Sequence, residues 1–334
     1  MEHILFFMFF PFFFAGSPDE VPSEQIRGVN LVSPIERVGD DCIKPMKDLN
    51  ANYVSLCPFA FMTPGDPNVY YNTIENYWGD RPSNLAFLAK EAKGKGLKVL
   101  LKPHFWVTGQ GWPGDYNLNE QGWKAWEKNY TKFVVDMARF ADSLSIEMYC
   151  IGVEFKTAVN LRKGFWPGLI KEVRKNYSGK LIYAANWDNY YNISFWGQLD
   201  YIGIDAYFPL LNEKTPSKEQ LVKKWGQQSK ILEKFSAKYE RPILFTEYGY
   251  RSIDGTAGNQ WELEYVNSDK KVNLEAQVNA YAAFYEAVWE EEWFAGGFLW
   301  KWHPEYANVG GMADSDYTPQ NKPVEKLIKQ WYSK

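Results

Sequence analysis

The 334-residue sequence is poor in the side chains that metal centres and disulfide frameworks need, with three His and three Cys. His3 lies at the N-terminus, and His104 and His303 are far apart in the chain, so we expect no metal site. An odd number of Cys argues against a disulfide framework. We expect Cys57 and Cys150 to be buried strand residues, because free Cys is among the most buried residue types.

The chain also lacks a strong charge of one sign and the common phosphate-binding and nucleophile motifs. Its formal net charge is -4, and no Lys/Arg run provides an electrostatic footprint for nucleic acid. There is neither a phosphate-loop pattern nor a G-x-S-x-G elbow. We therefore predict that the protein binds no nucleic acid.

No apolar run is long enough for a membrane span. The longest, residues 4–15, is too short to cross a bilayer and fits the hydrophobic region of a signal peptide. We predict a signal peptide over residues 1–17, a polar linker over 18–25, and export to the periplasm, cell surface or medium. The mature protein is expected to be a monomer without a stable membrane span.

What the sequence has in abundance is aromatic residues, at 18% of the chain with 15 Trp. Flat amphipathic rings suit the faces of sugars, although a well-packed aromatic core would need them too.

After residue 25, short apolar runs alternate with longer amphipathic segments, which is typical of repeated βα units. Eight runs read as strands, at 26–33, 52–62, 98–107, 148–155, 180–187, 201–208, 242–250 and 294–303. Helical spacing marks the segments 84–95, 120–144, 166–176, 218–239, 272–291 and 323–332. This pattern predicts an α/β fold, a single-domain (β/α)8 TIM barrel over residues 26–334.

Alternation along each predicted strand separates residues that face the helices from those that face the barrel interior. In the fourth strand, Ile151 and Val153 are expected to face the helices and Gly152 and Glu154 to face inward. Inward polar or aromatic positions elsewhere are Asn30, Lys102, His104, Trp106, Asp205 and Tyr207, with Asn186 at the end of the fifth strand. Lys102 and Asp205 are expected to form a structural ion pair inside the barrel.

Two glutamates stand at strand ends, where barrels of this kind carry their chemistry. Glu154 ends the fourth strand and Glu247 the seventh, so both can face the barrel mouth. A pair of carboxyl groups is what glycoside hydrolysis requires. A separation of about 5–5.5 Å gives retention and about 6.5–9.5 Å gives inversion.

The strand motifs RGVNL, LLKPHFW, CIGVEF, GIDAYFP, LFTEYGYRS and GGFLWKWHP resemble those of clan A glycoside hydrolases, and most of all glycoside hydrolase family 113, the β-mannanases. The resemblance implies that Glu154 is the acid/base and Glu247 the nucleophile of a retaining endo-β-1,4-mannanase, which hydrolyses mannan or glucomannan without a cofactor. Two alternatives remain: a clan A enzyme acting on another β-linked glycan, and a barrel that binds glycan without cleaving it.

The sequence departs from the clan pattern at one position. Most clan A enzymes place Asn before the acid/base, where it binds the sugar 2-hydroxyl, but this chain has Val153. Asn186 and His104 are the candidates to replace it. The full predicted substrate-binding set is Asn30, His104, Trp106, Asn186, Tyr207, Trp261, Trp300 and Trp302. Within it, Tyr207 is expected to donate a hydrogen bond to Glu247, and Trp300 to floor the site under the reacting sugar.

Overall fold

The computed structural model describes residues 24–39, 41–73, 76–260 and 271–334. The strands are β1 (Ile26–Val32), β2 (Tyr53–Cys57), β3 (Phe59–Thr63), β4 (Asp66–Tyr70), β5 (Lys98–Leu101), β6 (His104–Val107), β7 (Met148–Val153), β8 (Lys180–Asn186), β9 (Ile202–Asp205), β10 (Ile243–Tyr248) and β11 (Phe294–Trp302). Eight of them close into a parallel barrel in the order β1-β11-β10-β9-β8-β7-β5-β2. The predicted (β/α)8 barrel is confirmed. The predicted signal peptide and most of the linker lie outside the described residues.

Helices follow the barrel strands, as the helical spacing predicted. They are α1 (Lys44–Asp48), α2 (Pro82–Gly94), α3 (Glu120–Ser143), α4 (Lys156–Leu161), α5 (Phe165–Arg174), α6 (Lys218–Tyr239), α7 (Leu274–Val288) and α8 (Pro323–Tyr332). Short 3-10 turns lie at Trp78–Asp80, Pro113–Asp115, Tyr190–Asn192, Trp196–Gln198 and Tyr306–Asn308. None of the helices in the described part of the chain is long and apolar enough to cross a membrane.

Two predicted strands are each divided in the structure. The run 52–62 forms β2 and β3 with Pro58 between them, and 98–107 forms β5 and β6 with Pro103 nearby. Proline has no N–H to donate, so it is poorly tolerated inside a central strand. After each break the chain leaves the barrel, and β4, β3 and β6 form a separate three-stranded sheet.

Both glutamate strands depart from simple alternation, and in the fourth predicted strand this departure corrects the sequence-based assignment of faces. The pairing of β7 with β8 shifts between Cys150 and Val153. As a result Val153 packs with the barrel interior, while a side chain at Gly152 would collide with Tyr183 on the helix side. The prediction for these two positions is wrong, because a bulge adds a residue and reverses the faces beyond it.

The same irregularity occurs in β10, whose pairing with β9 shifts between Phe245 and Glu247. Phe245 packs outward against the helices, and Leu244 packs inside the barrel. Plain alternation would then turn Glu247 outward. Because of the shift, Glu247 instead faces inward at the barrel mouth, as Thr246 before it does. Bulges beside active sites often re-aim a side chain in this way.

Most of the aromatic side chains in the described residues lie in the core rather than on the surface. Among the described residues, the fully buried Trp side chains are Trp126, Trp166, Trp196, Trp225, Trp289 and Trp302. They pack in the layer between barrel and helices, where Trp126 and Tyr130, for example, stack at 4.5 Å between ring centroids. The high aromatic content therefore reflects core packing for the most part. Cys57 and Cys150 are buried free thiols, as predicted.

Candidate active site

Glu247 lies at the end of β10 with 6% of its surface exposed. Lys102 Nζ lies 2.5 Å from its Oε1, and the Tyr207 hydroxyl donates to its Oε2 at 2.7 Å. Burial alone would raise the pKa of Glu247, but the Lys102 ammonium and then the hydrogen bonds lower it. Glu247 is therefore held as a carboxylate, and the predicted Tyr207 contact is present.

Lys102 is fully buried directly after β5. It forms the expected ion pair with Asp205, at 3.6 Å, but it lies closer to Glu247 and also donates to the Thr246 carbonyl at 3.3 Å. Burial would lower the pKa of Lys102, yet the charges of Asp205 and Glu247 raise it. The prediction of a purely structural pair missed this direct contact with the candidate nucleophile.

Asp205 ends β9, next to Glu247 in the sheet register. Its Oδ1 accepts a hydrogen bond from Thr246 Oγ1 at 2.7 Å, while its buried Oδ2 has no hydrogen-bond partner among the described residues. Burial and then the charge of Glu247 raise the pKa of Asp205. Asp205 and Glu247 therefore share the ammonium of Lys102.

His104 and Trp300 form a stacked pair beside Glu247. Their ring centroids are 5.3 Å apart with planes 6° from parallel, and His104 Nε2 lies 3.4 Å from Glu247 Oε1. Burial and the nearby Lys102 charge lower the pKa of His104 to about 3, so the imidazole is neutral. Trp300 is partly exposed.

Glu154 reaches the mouth from the residue after β7, in a left-handed backbone conformation with φ of 53°. Its N–H donates to the Ala184 carbonyl at 2.8 Å, which fixes the turn, and the Trp112 indole N–H donates to its Oε2. Burial, followed by the charges of Asp205 and Glu247, raises the pKa of Glu154 well above its usual range. Glu154 is therefore held as a protonated acid.

Trp112 is the residue at this site that sequence reasoning missed. It follows a tight hairpin in which Val107 and Gly111 exchange backbone hydrogen bonds of 2.8 and 2.7 Å. Its ring lies over Gly114, where a Cβ would come within 2.2 Å of it. Alternation cannot place a loop residue. The sequence feature that could have identified Trp112 is its position between Gly111 and Gly114 in the loop after the third predicted strand.

The other predicted binding residues are dispersed. Asn186 lies at the end of β8, and its buried Oδ1 has no partner among the described residues. Asn30 is fully buried and donates to the carbonyls of Thr246 and Phe298, so it ties β1 to β10 and β11. Trp302 is also buried and stacks on Tyr306 at 5.8 Å.

Two predicted stacking residues remain. Trp106 is 51% exposed on the three-stranded sheet. Trp261 lies outside the described residues. Within the described ranges, no group of three or more His, Cys, Asp or Glu side chains is placed to hold a metal ion.

Comparison with known proteins points in one direction. The model of Glycoside Hydrolase Family 113 matches residues 36–322, which is most of the chain. A search of curated proteins finds no match.

Solved structures agree with the family match. The GH113 β-mannanase AaManA from Alicyclobacillus acidocaldarius, in complex with ManMIm, is 25% identical with a TM-score of 0.80, over 92% of this chain and 97% of that one. A second structure, described as a GH113 β-1,4-mannanase, is 25% identical with a TM-score of 0.78, over 93% and 99%. A Faecalibacterium prausnitzii β-glucuronidase, 12% identical with a TM-score of 0.59 over 92% of this chain and 49% of its own, shares the fold.

Proposed function

Because the chain belongs to glycoside hydrolase family 113, we propose that it is a retaining endo-β-1,4-mannanase in which Glu247 is the nucleophile and Glu154 the acid/base. The observation that carries this proposal is the contrast between the surroundings of the two glutamates at one barrel mouth. Glu247 is held ionised by Lys102 and Tyr207, whereas Glu154 is held protonated by burial and neighbouring carboxylates. Two carboxyl groups with separated pKa values are what double displacement needs.

In the first step, Glu247 attacks the anomeric carbon while Glu154 gives its proton to the departing glycosidic oxygen. The C–O bond to the leaving sugar breaks as the bond to Glu247 forms. The transition state resembles an oxocarbenium ion, so the neighbouring carboxylate charge stabilises it. Trp300, stacked on neutral His104, provides a flat floor for the reacting sugar.

In the second step, Glu154 acts as a base. Once Glu247 is esterified its charge is gone, so one of the charges that raised the pKa of Glu154 is removed. Glu154 then takes a proton from water, which attacks the anomeric carbon and releases Glu247. Through both steps Lys102 keeps Asp205 as a counter-ion, so its charge is never left without a partner inside the barrel.

Mannan is the proposed substrate because two structurally similar proteins are described as β-mannanases. Mannose carries its 2-hydroxyl axially, and this chain has Val153 where most clan A enzymes have the Asn that binds the 2-hydroxyl. The buried, unpartnered Oδ1 of Asn186 is a free acceptor at the neighbouring strand end, and we propose that it binds this hydroxyl.

The test is a panel of mannan, glucomannan, cellulose, galactan and xylan assayed for new reducing ends, with Glu247→Ala as the inactive control. We expect mannan and glucomannan to be cleaved by the wild type, and the variant to lose roughly 10^4-fold or more in kcat. NMR of the first product should show the β-anomer. Near-normal turnover by Glu247→Ala contradicts the nucleophile assignment, and early release of the α-anomer contradicts retention.

A further inference from the structure

The three-stranded sheet formed by β4, β3 and β6 has one buried and one open face. Ala60, Met62, Phe105 and Val107 point into the core. The intervening residues of β3 and β6 are partly buried or exposed, since side chains along a strand alternate. The sheet therefore presents an uncovered side at the carboxyl ends of β2 and β5, on the same end of the barrel as the glutamates.

Aromatic rings cover this open side in register. Phe61 pairs with Trp106 on one neighbouring strand and with Tyr70 on the other, and Phe59 pairs with His104. Residues paired across strands share a face. We call Phe59, Phe61, Tyr70 and Trp106 the aromatic face.

The aromatic face is continuous with the candidate active site. His104 stacks on Trp300 at 5.3 Å, Phe59 meets His104 edge-on at 5.8 Å, and Phe61 stacks on Phe59 at 6.4 Å. From Phe61 the strand register leads on to Trp106. The row of rings therefore begins 3.4 Å from Glu247, at His104 Nε2, and runs outward across the sheet.

Trp106 is held in place for such a role. It is 51% exposed, yet its ring lies against the hairpin, where a Cβ at Gly111 would be 3.1 Å from it. Gly111 has φ of 80°, a conformation that favours glycine, so the same residue makes the turn and leaves room for the ring. An exposed ring fixed in this way loses little conformational freedom when a ligand covers it.

Polar groups accompany the rings. The Tyr70 hydroxyl donates to Asp66 Oδ2 and the Asn68 amide to Asp66 Oδ1, each at 2.7 Å, on the same exposed side of β4. Rings interleaved with a carboxylate and amides suit a ligand with both C–H faces and hydroxyl groups, as a sugar has. A protein partner would favour a continuous apolar patch instead.

We propose that the aromatic face binds the distal sugar units of a β-linked glycan whose cleaved bond lies at Glu154 and Glu247. This inference rests on the proposed function, and it specifies that the preferred substrate is a chain long enough to reach Trp106.

The kinetic test compares Trp106→Ala with wild type on β-1,4-mannohexaose and on 4-nitrophenyl β-mannobioside. The ratio of the two kcat/KM values, long over short, should fall about tenfold in Trp106→Ala and be largely restored in Trp106→Phe. Ile231→Ala is the matched control, since Ile231 is a similarly exposed apolar side chain, at 55%, on α6. An unchanged ratio in Trp106→Ala overturns the inference and leaves the proposed function intact.

A binding test separates the two claims when hydrolysis fails. In a Glu247→Ala background, we expect the electrophoretic mobility of the protein to fall in gels that contain at least one of the glycans glucomannan, β-glucan and xylan. Adding Trp106→Ala should abolish this retardation. Retardation by one of these glycans without any hydrolysis of mannan by the wild type supports the aromatic face but contradicts the mannanase proposal. Equal mobility of both variants in every gel overturns the inference.

Discussion

Glu154 and Glu247 share one barrel mouth but lie in opposite surroundings. Glu247 has a full cation at 2.5 Å and a hydroxyl donor at 2.7 Å. The one side-chain hydrogen bond described at Glu154 comes from the neutral indole of Trp112. The pKa of Glu247 is accordingly lowered against the effect of burial, while that of Glu154 is raised by burial and by the neighbouring charges.

The difference follows from the position of a single buried ammonium. Lys102 contacts Glu247 most closely, at 2.5 Å, and Asp205 less closely, at 3.6 Å, and among the described residues it forms no ion pair with Glu154. With three carboxyl groups and one cation in a buried site, ionising all three is costly. Glu154, which has no ion pair with this cation among the described residues, therefore keeps its proton, which is the requirement for a general acid.

The largest effect we expect among tests of this comparison is from Glu154→Ala. General acid catalysis contributes about 10^2- to 10^4-fold, so kcat on mannan should fall by that factor. A dinitrophenyl mannoside, whose leaving group needs no proton, should still form the glycosyl-enzyme, and added azide should accelerate its turnover. Glu292→Ala, which removes an exposed glutamate, serves as the control. Equal losses on both substrates would show that Glu154 is not the acid.

A second variant, Lys102→Met, should remove the cation that distinguishes the surroundings of the two carboxyl groups. Without the ammonium the pKa of Glu247 rises, so the acid limb of the kcat/KM profile moves to higher pH, because Glu247 must be ionised to attack. The pKa of Glu154 also rises, so the alkaline limb moves the same way. Removing one partner of a buried ion pair costs about 3–5 kcal/mol of stability.

The matched control for this stability loss is Lys322→Met. Lys322 is another lysine with a fully buried side chain, paired with Asp314 at 2.7 Å. Its loss should lower the Tm without moving either pH limb. If both variants leave the limbs in place, Lys102 does not set the pKa of Glu247.

The sequence was sufficient for the barrel because its signals are local and repeated. Apolar runs followed by amphipathic segments predicted all eight barrel strands, and strand-end position singled out Glu154 and Glu247. Alternation along the strand did not account for the side-chain directions in the two glutamate strands. Bulges at Cys150 to Val153 and before Glu247 reverse the alternation, and a bulge depends on pairing with neighbouring strands, which a single strand's pattern does not contain.

At the site, sequence alone found the residues on strands better than those on loops. Tyr207 donates to Glu247 as expected, and His104, predicted as an inward strand residue, also lies beside Glu247. Lys102 was assigned to Asp205 alone, since distances between three inward groups cannot be read from alternation. Trp112 was missed because a hairpin carries it to Glu154.

Trp112→Phe is expected to have the smallest effect, because it changes the surroundings of Glu154 and leaves the cation at Glu247 in place. The indole hydrogen bond lowers the pKa of Glu154, so its loss should raise that pKa and move the alkaline limb of kcat/KM to higher pH, with the acid limb unmoved. One neutral hydrogen bond is worth about 1 kcal/mol, so kcat/KM at neutral pH should change by about tenfold or less. Trp78→Phe, at a ring that packs on Phe87, is the matched control and should move neither limb. A shift of the acid limb in Trp112→Phe would mean that Trp112 acts on Glu247, and the two environments would then not be separable.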